Sequence, residues 1–157
     1  MAGGTPRHNA LCSGINAALH GALRPRGCLV LSSDQKLGLG AGERYVYADV
    51  TVVCEPVRLE DGTSDVVANP GVIVEVLSGS TEQYDRGQKW EGYQRISTLT
   101  DYVLVSQTEP RIEHFRRDSG GTWTYRAAGP GGRVTLTCGA ELHVDALFVG
   151  MFDVAGE

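Results

Sequence analysis

Apolar residues fall into two rhythms along this chain. Near the start, Leu11, Ile15, Ala18, Leu19, Ala22 and Leu23 recur every three or four positions, the spacing that gathers side chains on one helical face. Thr5 followed by Pro6 supplies an N-cap and a proline at the first helical position, where a missing amide hydrogen is no loss. Pro25 and Gly27 stop this helix. The rhythm then shortens. Residues 28–31 read as a short apolar strand, and 36–54 as two strands joined by a turn at Gly40-Ala41-Gly42. The second of these, 45–54, is rich in β-branched and aromatic residues. Residues 55–70 are polar, contain Gly62 and end in Asn69-Pro70, which predicts a surface loop.

Val72-Ile73-Val74-Glu75-Val76-Leu77 is a near-continuous apolar run, the mark of a strand covered on both faces. Ser80 is placed to N-cap a helix over 81–96, with Gln83 closing a capping box and Trp90, Tyr93 and Ile96 along one side. A strand over 101–105 follows. Segments 112–116, 122–126 and 134–137, separated by Gly-rich turns, predict an antiparallel meander, and 144–149 a short closing helix. This order predicts an α/β (α+β) fold, a mixed sheet flanked by helices. With no internal repeat and no change of composition, the 157 residues are expected to form one domain.

Composition changes this picture little, since 41% hydrophobic and 21% charged residues are ordinary for a globular domain. No apolar run approaches the ~20 residues that span a bilayer. The opening Met1-Ala2-Gly3-Gly4-Thr5-Pro6 lacks the basic flank and apolar stretch of a signal peptide. The expectation is a cytoplasmic chain with no membrane partner. Cysteines 12, 28, 54 and 138 form no CxxC pair and are read as having no histidine at zinc-ligand spacing, so idle thiols in a reducing compartment are expected. A net charge of −5 argues against loose, charge-driven binding of nucleic acid. It leaves room for an enzyme that meets DNA through a local basic surface.

Two acids interrupt the most strand-like segments. Glu75 lies among five aliphatic residues, and Asp49 between Ala48 and Val50 in a run of strand formers. Burying an ionised carboxylate without a partner costs several kcal/mol. A divalent cation compensates a carboxylate pair, because hard cations prefer oxygen ligands. The plainer alternative is that each acid is salt-bridged or sits at an exposed strand end. Asp85 and Lys89, four apart on the expected helix, can form a surface ion pair. Lys89 has a competing role, because a helix that follows the Glu75 strand starts near that strand's end and lets a long ammonium reach back over both acids. Gln88 and Tyr93 could line the same cleft. His8 reads as a capping or surface residue, and His114 and His143 have no acid or metal partner nearby in sequence. Gly38-Leu39-Gly40-Ala41-Gly42 is not a phosphate loop, since no Lys-Ser/Thr follows it. No Gly-x-Ser-x-Gly motif occurs.

Three blocks carry a resemblance. They are Tyr47-Ala48-Asp49-Val50-Thr51-Val52-Val53-Cys54, then Gly71-Val72-Ile73-Val74-Glu75-Val76-Leu77-Ser78, then Tyr84-Asp85-Arg86-Gly87-Gln88-Lys89 with Tyr93. Together they resemble the Uma-type restriction endonucleases of the PD-(D/E)XK nuclease superfamily, with similarity beginning at Gly4-Thr5-Pro6-Arg7-His8-Asn9. The resemblance implies a restriction-endonuclease-like core and Mg²⁺-dependent hydrolysis of DNA phosphodiesters, with Mn²⁺ as a substitute. It implies metal binding by Asp49, Glu75 and the Val76 carbonyl, catalysis by Asp49, Glu75 and Lys89, and support from Asp85, Gln88 and Tyr93. The superfamily's lysine sits two residues after the second acid, where this chain has Leu77, and Lys89 on the helix stands in for it. Ala48 replaces the motif proline. Family members usually carry a further N-terminal segment, so a missing segment is expected here. Cutting both strands takes two sites, which makes a homodimer one expected assembly. The rival readings are a catalytically inactive DNA-binding or accessory protein that keeps the fold, and a plain interaction module whose acids serve salt bridges.

Overall fold

The computed structural model describes residues 4–40 and 44–153. The chain opens with α1 (Pro6–Leu23) and a 3-10 turn (Arg24–Arg26). Strands β1 (Leu29–Leu31), β2 (Lys36–Gly38), β3 (Tyr45–Tyr47), β4 (Val50–Val53), β5 (Val66–Val67) and β6 (Val72–Val76) follow. Next come α2 (Glu82–Arg86), α3 (Gln88–Gln94), β7 (Asp101–Val105), β8 (Ile112–Arg117) and β9 (Trp123–Ala128). The chain closes with β10 (Arg133–Thr135), β11 (Glu141–His143), α4 (Val144–Phe148) and a 3-10 turn (Met151–Asp153). The expected mixed α+β architecture is present. A six-stranded sheet runs β1-β4-β6-β7-β8-β9, with β6 and β7 parallel and every other pair antiparallel. Small sheets β3-β2-β5 and β10-β11 stand beside it.

Thr5 caps α1 as expected, accepting from the His8 amide at 3.1 Å. The buried stripe of α1 is Leu11, Ile15, Leu19 and Leu23, one residue per turn. Ala18 and Ala22 remain exposed, so the stripe is narrower than the sequence spacing suggested. Gly27, at φ 86°, takes the left-handed conformation that turns the chain into β1. Alternation along the central strands divides the core. Val72, Val74 and Val76 pack toward α1 and α4, while Ile73 packs with Leu77, Tyr93 and Tyr102 on the α3 side. Trp90 stacks on Tyr102 at 4.9 Å.

Several expectations are corrected. The strand expected over 45–54 is two strands in different sheets, with the break at Ala48-Asp49. The stretch 55–70 is not simply a surface loop, because β5 pairs in parallel with β2 and buried Asn69 ties the loop to itself. Its Oδ1 accepts from the Arg58 amide at 2.8 Å and its Nδ2 donates to the Pro56 carbonyl at 3.0 Å. The turn at Gly40-Ala41-Gly42 lies mostly outside the described residues. Ser80 does not cap the next helix. Thr81 takes that position without a side-chain capping bond, and the amides of Thr81 and Glu82 donate to the Ser78 carbonyl instead. The single helix expected over 81–96 is two helices, broken at Gly87, where φ −108° and ψ −98° are not helical. The expected meander ends at β9, because β10 leaves the sheet to pair with β11. That unit is anchored by buried Asp101, whose carboxylate accepts from the Thr137 amide at 3.1 Å and meets His114 Nε2 at 2.7 Å. His114 therefore has an acid partner that sequence distance concealed.

The cysteines are not all idle thiols. Cys28 and Cys54 form a disulfide between the ends of β1 and β4. Register explains it, because Leu29 pairs with Val53 and the next facing pair is these two cysteines. The bond closes a loop with a sequence separation of 26, for which chain entropy gives about 3.5 kcal/mol. A Cys28→Ser, Cys54→Ser double variant is expected to lose about that much stability. Urea unfolding without reductant measures the loss, and adding reductant should bring the unaltered chain to the same value.

Candidate active site

Asp49 sits in the bend between β3 and β4, beside β6. The two expected acids hold one another through the backbone. Asp49 Oδ2 accepts from the Val76 amide at 2.7 Å, and the Asp49 amide donates to Glu75 Oε1 at 3.3 Å. Each carboxylate thus rests on the peptide of the other or of its neighbour. Glu75, next to the last residue of β6, points to the α3 side, and its side chain is only 3% exposed. Asp49 keeps 18% and is the acid that solvent reaches. Its Oδ1 has no hydrogen-bond partner among the described residues.

The break at Gly87 aims α3 at these acids. Lys89 and Tyr93, four apart, share one helical face. Lys89 Nζ donates to Glu75 Oε2 at 2.7 Å and to the Tyr47 carbonyl at 3.2 Å. Tyr93 donates its hydroxyl to the same Glu75 oxygen at 2.9 Å. Asp85, on α2, lies 3.6 Å from Lys89 Nζ and accepts from the Thr81 hydroxyl at 3.2 Å. The Asp85–Lys89 pair is therefore buried, not on the surface as its spacing alone suggested. Gln88 is exposed, and its described contact is a backbone carbonyl that accepts from Arg44.

Burial dominates the electrostatics. It pushes the Glu75 carboxyl up to about 7, against the pull of Lys89. Burial also raises Asp85, again opposed by Lys89. Burial works against the charge on Lys89, but Glu75 and Asp85 outweigh it and hold the ammonium above its ordinary range. Tyr93 is pushed well up by burial, so it remains a donor.

Sequence reading missed His8. It lies in the first turn of α1 with Nε2 3.4 Å from Asp49 Oδ2 and Nδ1 3.7 Å from Cys12 Sγ. Hydrogen bonding to Asp49, then to Cys12, raises its imidazolium to about 10. Cys12 is four residues on, so a helix sets the pair on one face. That spacing was visible in the sequence, although the approach of α1 to the Asp49 bend was not. Among the described residues, His8, Cys12 and Asp49 form a group whose ligand atoms all lie within 4.8 Å of one another, close enough to hold a metal ion. Arg116, Arg126 and Arg133 line a cleft of about 480 Å³. It opens near Asp101, at the far end of β7 from Leu104, which pairs with Glu75.

A buried acid on a central strand, a second acid at the adjoining bend and a lysine reaching over from a helix match the pattern that carried the resemblance. The Uma2 family, described as "Putative restriction endonuclease", matches residues 1–145. The chain belongs to this family. Among relatives of this Uma2 chain, the uncharacterized protein sll1609 of Synechocystis is 32% identical over 123 residues, covering 78% of this chain and 70% of that protein. The uncharacterized protein slr1290 of the same organism is 30% identical over 152 residues, covering 96% and 79%. The Uma2 fold agrees with a crystal structure described as a putative nuclease belonging to DUF820 from Anabaena variabilis. The TM-score is 0.74 at 16% identity, covering 96% of this chain and 84% of that one. Among the described residues of this Uma2 chain, no helix is long and apolar enough to cross a membrane.

Proposed function

We propose that this chain is a Mg²⁺-dependent DNA endonuclease of the PD-(D/E)XK kind, with Mn²⁺ able to replace Mg²⁺. The observation that carries the reading is the buried Glu75 carboxylate, clasped to the Asp49 backbone and faced by Lys89. The donor set fits a hard divalent ion. Asp49 Oδ1 has free acceptor capacity, and Glu75 Oε1 makes only one long contact, at 3.3 Å. Asp49, Glu75 and the Val76 carbonyl would hold the ion. Bound there, it would supply charge stabilisation at the phosphate and easier deprotonation of water.

The side chains around the acids have separate tasks. The Val76 amide fixes Asp49, and Tyr93 fixes Glu75. Asp85, 3.6 Å from Nζ, gives Lys89 a second carboxylate partner. The Lys89 ammonium can then hold an attacking water, or meet charge developing on a phosphate oxygen, with little reorganisation. Gln88 has no task in this mechanism. One domain would carry the site, a homodimer would supply the two sites needed to cut both strands, and an intracellular DNA substrate would place the chain in the cytoplasm.

Supercoiled plasmid incubated with the chain and Mg²⁺ or Mn²⁺ tests the reading, and conversion to nicked or linear DNA that chelator stops is the expected result. The pH dependence should follow Glu75. Its folded pKa is raised to about 7, so below pH 7 a proton competes with the ion. Apparent Mg²⁺ affinity should fall by up to ~10-fold for each pH unit below that value, which calorimetry across pH can measure.

One observation favours a second reading. His8 faces Asp49 and Lys89 faces Glu75, so both acids have basic partners without an ion. A non-catalytic DNA-binding protein would use the fold this way. DNA retention without cleavage would decide for it.

A further inference from the structure

We propose that His8, Cys12 and Asp49 form a second cation site, which takes a thiophilic transition ion of the Zn²⁺ class and, when filled, withdraws Asp49 from the Mg²⁺ site. The withdrawal rests on the nuclease reading above, whereas the site itself does not.

The donor set argues for this class of ion. On binding, the His8 imidazolium and the Cys12 thiol each release a proton to solvent, and the imidazole and thiolate so formed are ligands that Mg²⁺ takes poorly and Zn²⁺ takes well. Geometry argues for one ion bound by all three. With metal–donor lengths of ~2.0–2.1 Å for nitrogen and oxygen and ~2.3 Å for sulfur, a tetrahedron has edges of ~3.3 Å between nitrogen and oxygen and ~3.6 Å between nitrogen and sulfur. His8 Nε2 lies 3.4 Å from Asp49 Oδ2 and 4.0 Å from Cys12 Sγ. The first separation already fits, and the second closes with a shift of a few tenths of an ångström. The third, between Asp49 and Cys12, lies within 4.8 Å and closes by at most about 1.2 Å as the Cys12 side chain turns toward the ion. The site is preorganised, because α1 fixes the spacing of His8 and Cys12 while the Val76 amide fixes Asp49 Oδ2. It is also reachable, since His8 and Asp49 are 20% and 18% exposed, which leaves a fourth position for solvent. Three protein ligands and an open position is a common Zn²⁺ arrangement.

Asp49 links the two sites. An ion held through Oδ2 by His8 and Cys12 draws off the negative charge that Oδ1 would offer Mg²⁺, and in this way withdraws Asp49 from the Mg²⁺ site. Zn²⁺ should therefore inhibit cleavage in a manner that depends on Cys12, a residue outside the proposed catalytic machinery.

The test uses the full chain without thiol reductant, so that Cys28 and Cys54 stay paired. Co²⁺ is added as the spectroscopic substitute for Zn²⁺. A near-ultraviolet thiolate-to-cobalt charge-transfer band is expected in the unaltered chain and in Cys138→Ser, and no band in Cys12→Ser. Zn²⁺ affinity should fall in Cys12→Ser by more than the ~10–100-fold that outer partners of metal ligands are worth, while circular dichroism stays unchanged. In the cleavage assay, Zn²⁺ should suppress Mg²⁺-dependent nicking by the unaltered chain and not by Cys12→Ser. A missing band, or equal Zn²⁺ affinity in Cys12→Ser, overturns the site. A band with undiminished nicking overturns the withdrawal of Asp49. If no nicking occurs under any condition, the nuclease reading and the withdrawal fall together, and the band still decides the site.

Discussion

Glu75→Gln is expected to remove Mg²⁺-dependent DNA cleavage by at least ~10²-fold, the scale of losing one preorganised catalytic group, with little change in stability. The substitution keeps the shape of the side chain and removes only its ability to carry charge. The buried Glu75 carboxyl is pushed up to about 7, so its neutral form is already accessible near neutrality. The glutamine carbonyl can still accept from Tyr93 or the Asp49 amide, as Glu75 does. Lys89 keeps the Tyr47 carbonyl and Asp85 as partners. Asp49→Asn should behave alike, since its amide oxygen can still accept from Val76. Plasmid conversion rates beside thermal melts give both readouts. Cleavage at the unaltered rate in both variants would refute the assignment of these acids.

Lys89→Met should have the largest effect on stability. Glu75 and Lys89 are buried together at 2.7 Å, and removing one member of such a pair costs about 3–5 kcal/mol, because the other charge is left uncompensated. The sign with pH follows from Glu75. Its folded pKa already lies above its unfolded value, so ionising it weakens the fold as pH rises. Without the ammonium, that pKa moves further up and the dependence steepens. The loss should therefore be smallest at about pH 6, where Glu75 takes a proton, and should grow as pH rises through about 8. Adding Glu75→Gln to Lys89→Met should restore much of the stability, because no charge is then stranded. Urea unfolding at the two pH values measures this, and an equal loss at both would sink the account.

The acids and the lysine were legible for a local reason. Glu75 interrupts an aliphatic run, Asp49 interrupts a β-branched one, and Lys89 follows at a distance one loop and a helical turn can bridge. Their neighbourhood was less legible where it depended on contacts remote in sequence. The Cys28–Cys54 bond needs the β1–β4 register, and the His114–Asp101 contact needs that of β7 and β8. His8 meets Asp49 across 41 positions of chain, through the packing of α1 on the sheet. The break at Gly87 is a different kind of miss. A glycine inside a helical pattern is usually tolerated, so nothing in the sequence predicts two short helices, of which the second carries Lys89 and Tyr93 to Glu75. At Asp49, strand propensity continues through the bend unchanged, so the handover from the small sheet to the large one leaves no trace in composition.

That handover has a thermodynamic consequence. Asp49 is held to β6 through Val76, yet its own chain runs back into the β3-β2-β5 sheet. An ion gripping Asp49 and Glu75 would act as a rivet between two sheets that share no strand. Binding to the folded chain alone adds RT ln(1 + [L]/Kd), about 2.7 kcal/mol when the ion is at a hundred times its dissociation constant. The slowing of amide exchange that accompanies this should reach past the ligands into β2 and β3, and the melting temperature alone would then report how full the site is.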